Sequence, residues 1–298
     1  MINRLFIVAL AAVLGSAASA ATFNVSDPTG FQNALTTAQE NGEPDTINVA
    51  AGFYDISIGG TLTYTAVETE NAGLAIVGDD SNTVFLDGGG QVSILRIDTT
   101  AVINDDGVSI EVYNMTFRNG NATGAPADGG ALAILTDESQ QPAVLATLVW
   151  IGGSEFYGNR AAGDGGAVYV RAHAVEGIYL DDLTFDFMGD MLPGNQAGGD
   201  GGSAYVAGGF FTTPIFVNNI DFFNGIAGGS GGGLVVEGFD PATPVADEAQ
   251  SVSLTDITFY NNQSNGVADG ECGGGEDISS LATTIDTFGL IDNIARVG

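Results

Sequence analysis

The chain has 298 residues, with 45 glycines, 44 % hydrophobic residues, 37 acidic and six basic side chains, and a formal charge of −31. That balance repels nucleic acid and anionic membrane surfaces, so neither is expected as a partner. The single cysteine, Cys272, cannot form an internal disulfide, so the fold does not depend on cross-links.

Met1-Ile2-Asn3-Arg4 precedes an apolar run over 5–14 and the small residues Ala18-Ser19-Ala20. This is the pattern of a secretory signal removed after Ala20. The run is shorter than the roughly 20 apolar residues a membrane span needs. Residues 1–20 are therefore read as a Sec signal, and the mature chain as exported, without a membrane-spanning helix. Loss of Arg4 leaves five arginines against 37 acids, −32, with no lysine at all. In an exported chain Cys272 reads as a buried thiol, a metal ligand or an intermolecular partner. Asp outnumbers Glu by 25 to 12, which suits turns and oxygen-ligand sites better than helix surfaces.

Residues 22–26 alternate like a short strand. Asp27 and Thr29 offer N-cap oxygens, and Phe31, Ala34, Leu35 and Ala38 recur at helical spacing before Asn41-Gly42. One amphipathic helix is predicted here and no other. Short β-rich stretches closed by Gly, Asp or Asn follow at 45–49, 52–56, 61–65, 74–78, 84–88 and 92–97.

From about residue 108 a repeat takes over. Its first part is an alternating strand ending on phenylalanine, at Phe117, Phe156, Phe185, Phe222 and Phe259, with a truncated last copy ending at Phe288. An Asn/Gly turn comes next, and then a Gly-Gly strand: Asp128-Gly129-Gly130, Asp164-Gly165-Gly166 and Asp200-Gly201-Gly202 start three copies 36 residues apart. Looser copies lie at 231–236 and around 273–275. Variable loops are expected near 119–128, 136–147, 186–200 and 238–250. Constant strands with variable loops are the mark of a solenoid, because one unit cannot bury its apolar face without a neighbour.

Phe156-Tyr157-Gly158-Asn159 and Phe259-Tyr260-Asn261-Asn262, alternating with Gly129-Gly130-Ala131-Leu132 and Gly165-Gly166-Ala167-Val168, resemble the repeats of the chlamydial polymorphic outer membrane proteins. The N-terminal portion, with its helix, Asp45-Thr46-Ile47 and Gly52-Phe53-Tyr54, is similar to the opening coils of right-handed parallel β-helix proteins. The resemblance implies an all-β fold, a right-handed parallel β-helix with a short N-terminal capping helix. Residues 21–107 would form the cap and first coils, and 108–298 the repeat coils of the same stack. The five phenylalanines would make an inward column, the asparagines an amide ladder, and the helix a cover for the first coil.

Several candidate chemistries arise. Asp128, Asp164 and Asp200 share a register, and a carboxylate row would favour a bound Ca²⁺; the alternative is three turn-forming aspartates bonded to local amides. Glycosidase chemistry needs two carboxylates held across the scissile bond; the acid pairs Asp79-Asp80, Asp105-Asp106 and Asp181-Asp182 are candidates, although in a chain with 37 acids pairs arise by chance. Arg160 and Arg171 flank one Gly-Gly strand, which could place them near one another as candidates for the arginine base of a polyuronate lyase. His173, the lone histidine, reads as an exposed loop residue. Trp150, Tyr157, Tyr169, Tyr179 and Tyr205 could form a sugar-stacking strip. The favoured expectation is an exported surface or secreted adhesin-like protein, non-enzymatic, meeting a cell-surface glycan or protein. The alternatives are a polysaccharide lyase or glycosidase, and a structural element that self-associates end to end through an uncapped stretch after Phe288.

Overall fold

The computed structural model describes residues 20–67, 70, 72–102, 108–124, 126–136, 148–174, 176–185, 194–209, 213–239, 246–247, 251–265, 276–278, 283–291 and 294–295. Residues 1–19, Asp105-Asp106, Cys272 and most of the variable loops lie outside these. Among the described residues the strands fall into three sheets, the first of 13 strands, the second of 6 and the third of 8. All pairings are parallel except that of Ala246–Asp247 with Leu234–Phe239. Strands adjacent in a sheet are not adjacent in the chain: Asp45–Val49 pairs with Leu74–Gly78, which pairs with Ile110–Tyr113. The chain thus returns to the long sheet on every circuit, giving it two short strands in the early circuits, such as Asp45–Val49 and Gly52–Asp55, and one long strand from Ile178–Phe185 onward. The fold is mostly β and solenoid-like, and strands before residue 103 pair with strands after residue 107 in the same sheets.

Register decides what is inside. Asp45, Leu74, Ile110, Val149, Ile178, Ile215 and Val252 share one inner column of the long sheet, and Ile47, Ile76, Val112, Ile151, Leu180, Val217 and Leu254 the next. Because strand side chains alternate, the column between them faces outward. Phe117, Phe156, Phe185, Phe222 and Phe259 are all 0 % exposed. Their rings stack 4.8–5.0 Å apart, with planes within 13° of each other. The column continues downward through Leu86 and Tyr54. Upward, the register sets Leu290 beside Phe259 and Phe288 beside Ile257. The last copy is therefore a full strand, Thr283–Ile291, offset by two residues from its predicted phase. Each buried phenylalanine contributes roughly 1.5–3 kcal/mol.

The turn after each phenylalanine carries the amide ladder. Asn159, Asn195 and Asn262 are fully buried. Asn159 donates to the Phe117 carbonyl and Asn195 Oδ1, while Asn195 donates to the Phe156 carbonyl. Asn119, Asn224 and Asn261, just before the ladder position, have φ of 53°, a left-handed backbone that asparagine tolerates. In the Gly-Gly element the two glycines do different things. Gly165 has φ of 61°, and a Cβ on Gly166 would lie 2.1 Å from the Gly202 carbonyl oxygen in the next circuit.

The helix, Pro28–Ala38, is capped by Asp27, whose Oδ1 accepts from the Gly30 amide at 2.8 Å. It buries Phe31, Ala34, Leu35 and Ala38 against the first circuits. Its polar side chains also replace a missing strand. Gln32 donates to the Thr63 carbonyl and accepts from the Thr63 amide, and Gln39 accepts from the Thr65 amide. These are the edge groups of Leu62–Thr65, the first strand of the third sheet. Left open, such an edge invites another strand.

Phe185 has a ring on each side. Phe185→Ala is expected to lower stability by about 3–5 kcal/mol and Phe185→Leu by clearly less. Urea unfolding followed by Trp150 fluorescence measures both, and equal losses would contradict the column.

Candidate functional site

The inner columns are given over to folding, so recognition has to come from the outer ones. On the long sheet one outer column reads Glu111, Trp150, Tyr179, Phe216, Ser253. The next outer column on the same strands reads Tyr113, Gly152, Asp181, Asn218, Thr255. Tyr113 meets Trp150 edge-on at 5.8 Å and 69°, Trp150 meets Tyr179 at 5.6 Å, and Tyr179 stacks on Phe216 at 4.6 Å and 15°. Four half-buried aromatic side chains thus make one unbroken strip along the stack. Gly152 keeps room for it: a Cβ there would lie 3.0 Å from the Tyr113 ring.

Polar groups line the strip. Tyr113 donates to Glu111 at 2.9 Å, and Asn218 donates to Asp181 at 2.7 Å. At the adjacent bend, Asn219 donates to Asp182 at 2.9 Å, and both residues have positive φ. Desolvation, followed by the bond to Glu111, raises the Tyr113 pKa.

The five aromatics expected to form one strip are divided. Trp150 and Tyr179 belong to it. Tyr157 lies on a different strand, Glu155–Tyr157, and donates to Glu155. Tyr169 and Tyr205 stack on each other on the third sheet at 5.2 Å and are nearly buried, with Ala207 and Val235. Tyr113 and Phe216 were missed. Aligning the copies on the column phenylalanine would have found Phe216, since Glu111, Trp150, Tyr179, Phe216 and Ser253 each stand six residues before it.

The aspartate row does form, but its chemistry is that of a ladder. Asp128 Oδ1 accepts from the Asp164 amide at 2.9 Å, Asp164 Oδ1 from the Asp200 amide at 2.8 Å, and Asp200 Oδ1 from the Ser230 amide at 2.6 Å. Neither local turn bonds nor a converging cluster describes it: each carboxylate reaches one circuit onward. Gly163, Gly199 and Gly229 leave the slots, since a Cβ on any of them would lie 2.0–2.1 Å from the carboxylate oxygen. No group of three or more His, Cys, Asp or Glu among the described residues is arranged to hold a metal ion. Burial, then repulsion from Asp200 and Asp128, raises the Asp164 pKa, against the amide bond that lowers it.

The acid pairs hold backbone and neighbours. Asp79 accepts from the Ala51 amide, Asp80 from Asn82, and Asp181 and Asp182 from the two asparagines above them. Arg160 and Arg171 stand in different sheets, on Arg160–Ala161 and Val168–Ala172. Arg160 donates to Gln196 at 2.8 Å. Arg118 pairs with Asp87 at 2.8 Å and lies over the rings of Phe53 and Phe85. His173 is buried, not exposed, and its amide donates to Thr136 Oγ1. On the third sheet the Tyr205 hydroxyl donates to Glu237. Burial, and then the Asp200 and Asp164 charges, push the Glu237 carboxyl up to about 7.

Compared with protein-family models, with curated proteins and with solved structures, the chain matches none. No helix among the described residues is long and apolar enough to cross a membrane.

Two tests follow from the acidic side chains. Asp164→Ala strands the Asp200 amide and is expected to cost about 1–3 kcal/mol. Asp164→Asn keeps an acceptor and removes a charge, so it should be neutral or stabilising at pH 7; equal damage by both would break the ladder argument. Glu237 and Asp164 both bind protons more tightly folded than unfolded. Their contribution is therefore complete below the ordinary carboxylate range and lost as pH rises through the folded pKa, about 7 for Glu237. Thermal melts from pH 4 to 9 should show this decline, and Glu237→Gln should flatten its upper part.

Proposed function

We propose that this chain is an exported, non-enzymatic, adhesin-like protein, a right-handed parallel β-helix of the chlamydial polymorphic outer membrane type. In this reading it meets a cell-surface partner through the outer face of its long sheet. The fold assignment is supported by parallel pairing between successive circuits in like-on-like register, and by the right-handed preference of parallel crossovers. Export is supported by the pattern of residues 1–20.

The observation that carries the functional reading is the strip Tyr113–Trp150–Tyr179–Phe216. Its rings hold no place in the inner columns, and they lie beside a hydrogen-bonded carboxylate and carboxamide on the outer face of the long sheet. Aromatic anchors with a polar rim are what a recognition surface needs. The acid excess selects against anionic partners and leaves neutral glycans and neutral or basic protein surfaces.

The mature chain, screened on glycan and host-protein arrays with and without calcium, should be retained by at least one partner. Tyr113→Ser/Trp150→Ser should weaken that retention about tenfold or more while leaving the melting profile cooperative. Silence on both arrays, or retention indifferent to the double substitution, would count against the reading.

A further inference from the structure

Along the long sheet's outer face each aromatic ring is covered by its neighbour until the run stops. Tyr179 lies on one face of Phe216 at 4.6 Å. On the other side the residue in register is Ser253, so the next circuit has no ring to continue the stack. The strip therefore ends in an uncovered aromatic face. Phe216 and Ser253 line a hollow of about 270 Å³, together with Tyr179, Asp181, Asn218 and Thr255 among others.

Opposite the ring stands a polar column. Asp181, Asn218 and Thr255 share one register position on three successive circuits, two residues along from Tyr179, Phe216 and Ser253 and on the same face. The 2.7 Å bond from Asn218 Nδ2 to Asp181 Oδ1 fixes both side chains. A carboxylate offers about four lone-pair directions, so one such bond leaves it able to accept more. Ser253 and Thr255 add two hydroxyls, each both donor and acceptor.

We propose that this hollow is a binding subsite for one neutral pyranose residue, its C–H face on Phe216 and its hydroxyl edge on Asp181, Asn218, Ser253 and Thr255. The inference rests on the long sheet's outer face being the interaction surface and names the ligand it takes there. A pyranose has an apolar face and a rim of hydroxyls, which is the complement of a ring bordered by acceptors. The electron-rich ring face attracts the weakly positive C–H hydrogens. An apolar side chain from a protein partner would fill the same volume but leave the Asp181 and Asn218 groups desolvated without bonds. A uronate would bring its charge against Asp181 and Asp182 on a chain of formal charge −31.

The test is saturation-transfer NMR on the mature chain with a panel of neutral methyl pyranosides and methyl glucuronide. At least one neutral pyranoside should bind, with a Kd on the order of 1 mM. Ser253→Phe is the decisive variant, because it continues the ring stack into the hollow. It should fold with an unchanged or higher melting temperature and lose the pyranoside signal about tenfold or more, whereas Ser253→Ala, which leaves the ring uncovered, should keep it. Absence of transfer from every neutral pyranoside, equal binding by Ser253→Phe, or tighter binding of the glucuronide would each overturn the subsite. If the chain is retained on an array and Ser253→Phe is retained equally, the partner uses another part of the sheet. In that case the subsite falls while the adhesive reading stands. Pyranoside transfer abolished by Ser253→Phe, in a chain that arrays do not retain, supports the subsite and removes the adhesive role.

Discussion

Apart from the antiparallel pair at Ala246–Asp247, the described strands close their hydrogen bonds on strands one circuit away, so a strand residue is laid against the residue holding its own place in the neighbouring circuit. That single constraint sorts the amino acids by how well they tolerate their own kind. A phenylalanine gains from a phenylalanine: the five inner rings stack at 4.8–5.0 Å. An asparagine can donate and accept, so Asn159 donates to Asn195 Oδ1 while each also donates to a carbonyl one circuit below. A carboxylate only accepts, and cannot ladder on a carboxylate. Asp128, Asp164 and Asp200 share a column because a backbone amide stands between each pair and because Gly163 and Gly199 give the oxygens room.

The same constraint explains how much could be read before any coordinates. The helix over Phe31, Ala34, Leu35 and Ala38, the phenylalanine column and the 36-residue step of the aspartates were legible because each depends on local pattern or on a spacing that repeats. Asn195 was hidden because it follows Phe185 by ten residues, where Asn159 follows Phe156 by three. The phase of the last strand was misread because phenylalanine was taken as the marker, although Leu290 holds that place. The five aromatics were grouped by residue type, but membership of a face depends on which sheet a strand enters. Tyr169 and Tyr179 are ten residues apart and lie on different sheets. His173 was expected outside because nothing in its neighbours' sequence shows that its strand end is covered.

Stability in such a stack is built circuit by circuit, since each circuit touches only the ones beside it. The ends are then the weak points, and at the amino end the answer is specific. Gln32 and Gln39 present side-chain amides to the Thr63 and Thr65 backbone where a preceding strand would have presented peptide groups. A helix surface has no backbone donors or acceptors to offer sideways, so long amide side chains are the residues that can do this from a helix. The cap is polar where it meets the sheet edge and apolar where it meets the core, and both features lie within eleven residues.

Self-stacking also has a consequence for recognition. A continuous ladder of aromatic rings covers its own faces and shows solvent mainly edges, so a perfectly regular strip would make a poor platform for a flat ligand. Departures from the repeat are where a ring face becomes available. The outer column changes identity at every circuit, from Glu111 to Trp150, Tyr179, Phe216 and Ser253, while the inner column beside it stays Ile or Val from Ile110 to Val252. Folding demands sameness inside and places no such demand outside. In this architecture the interior copies carry the structure, and binding chemistry has to be sought at the positions where one copy fails to match the next.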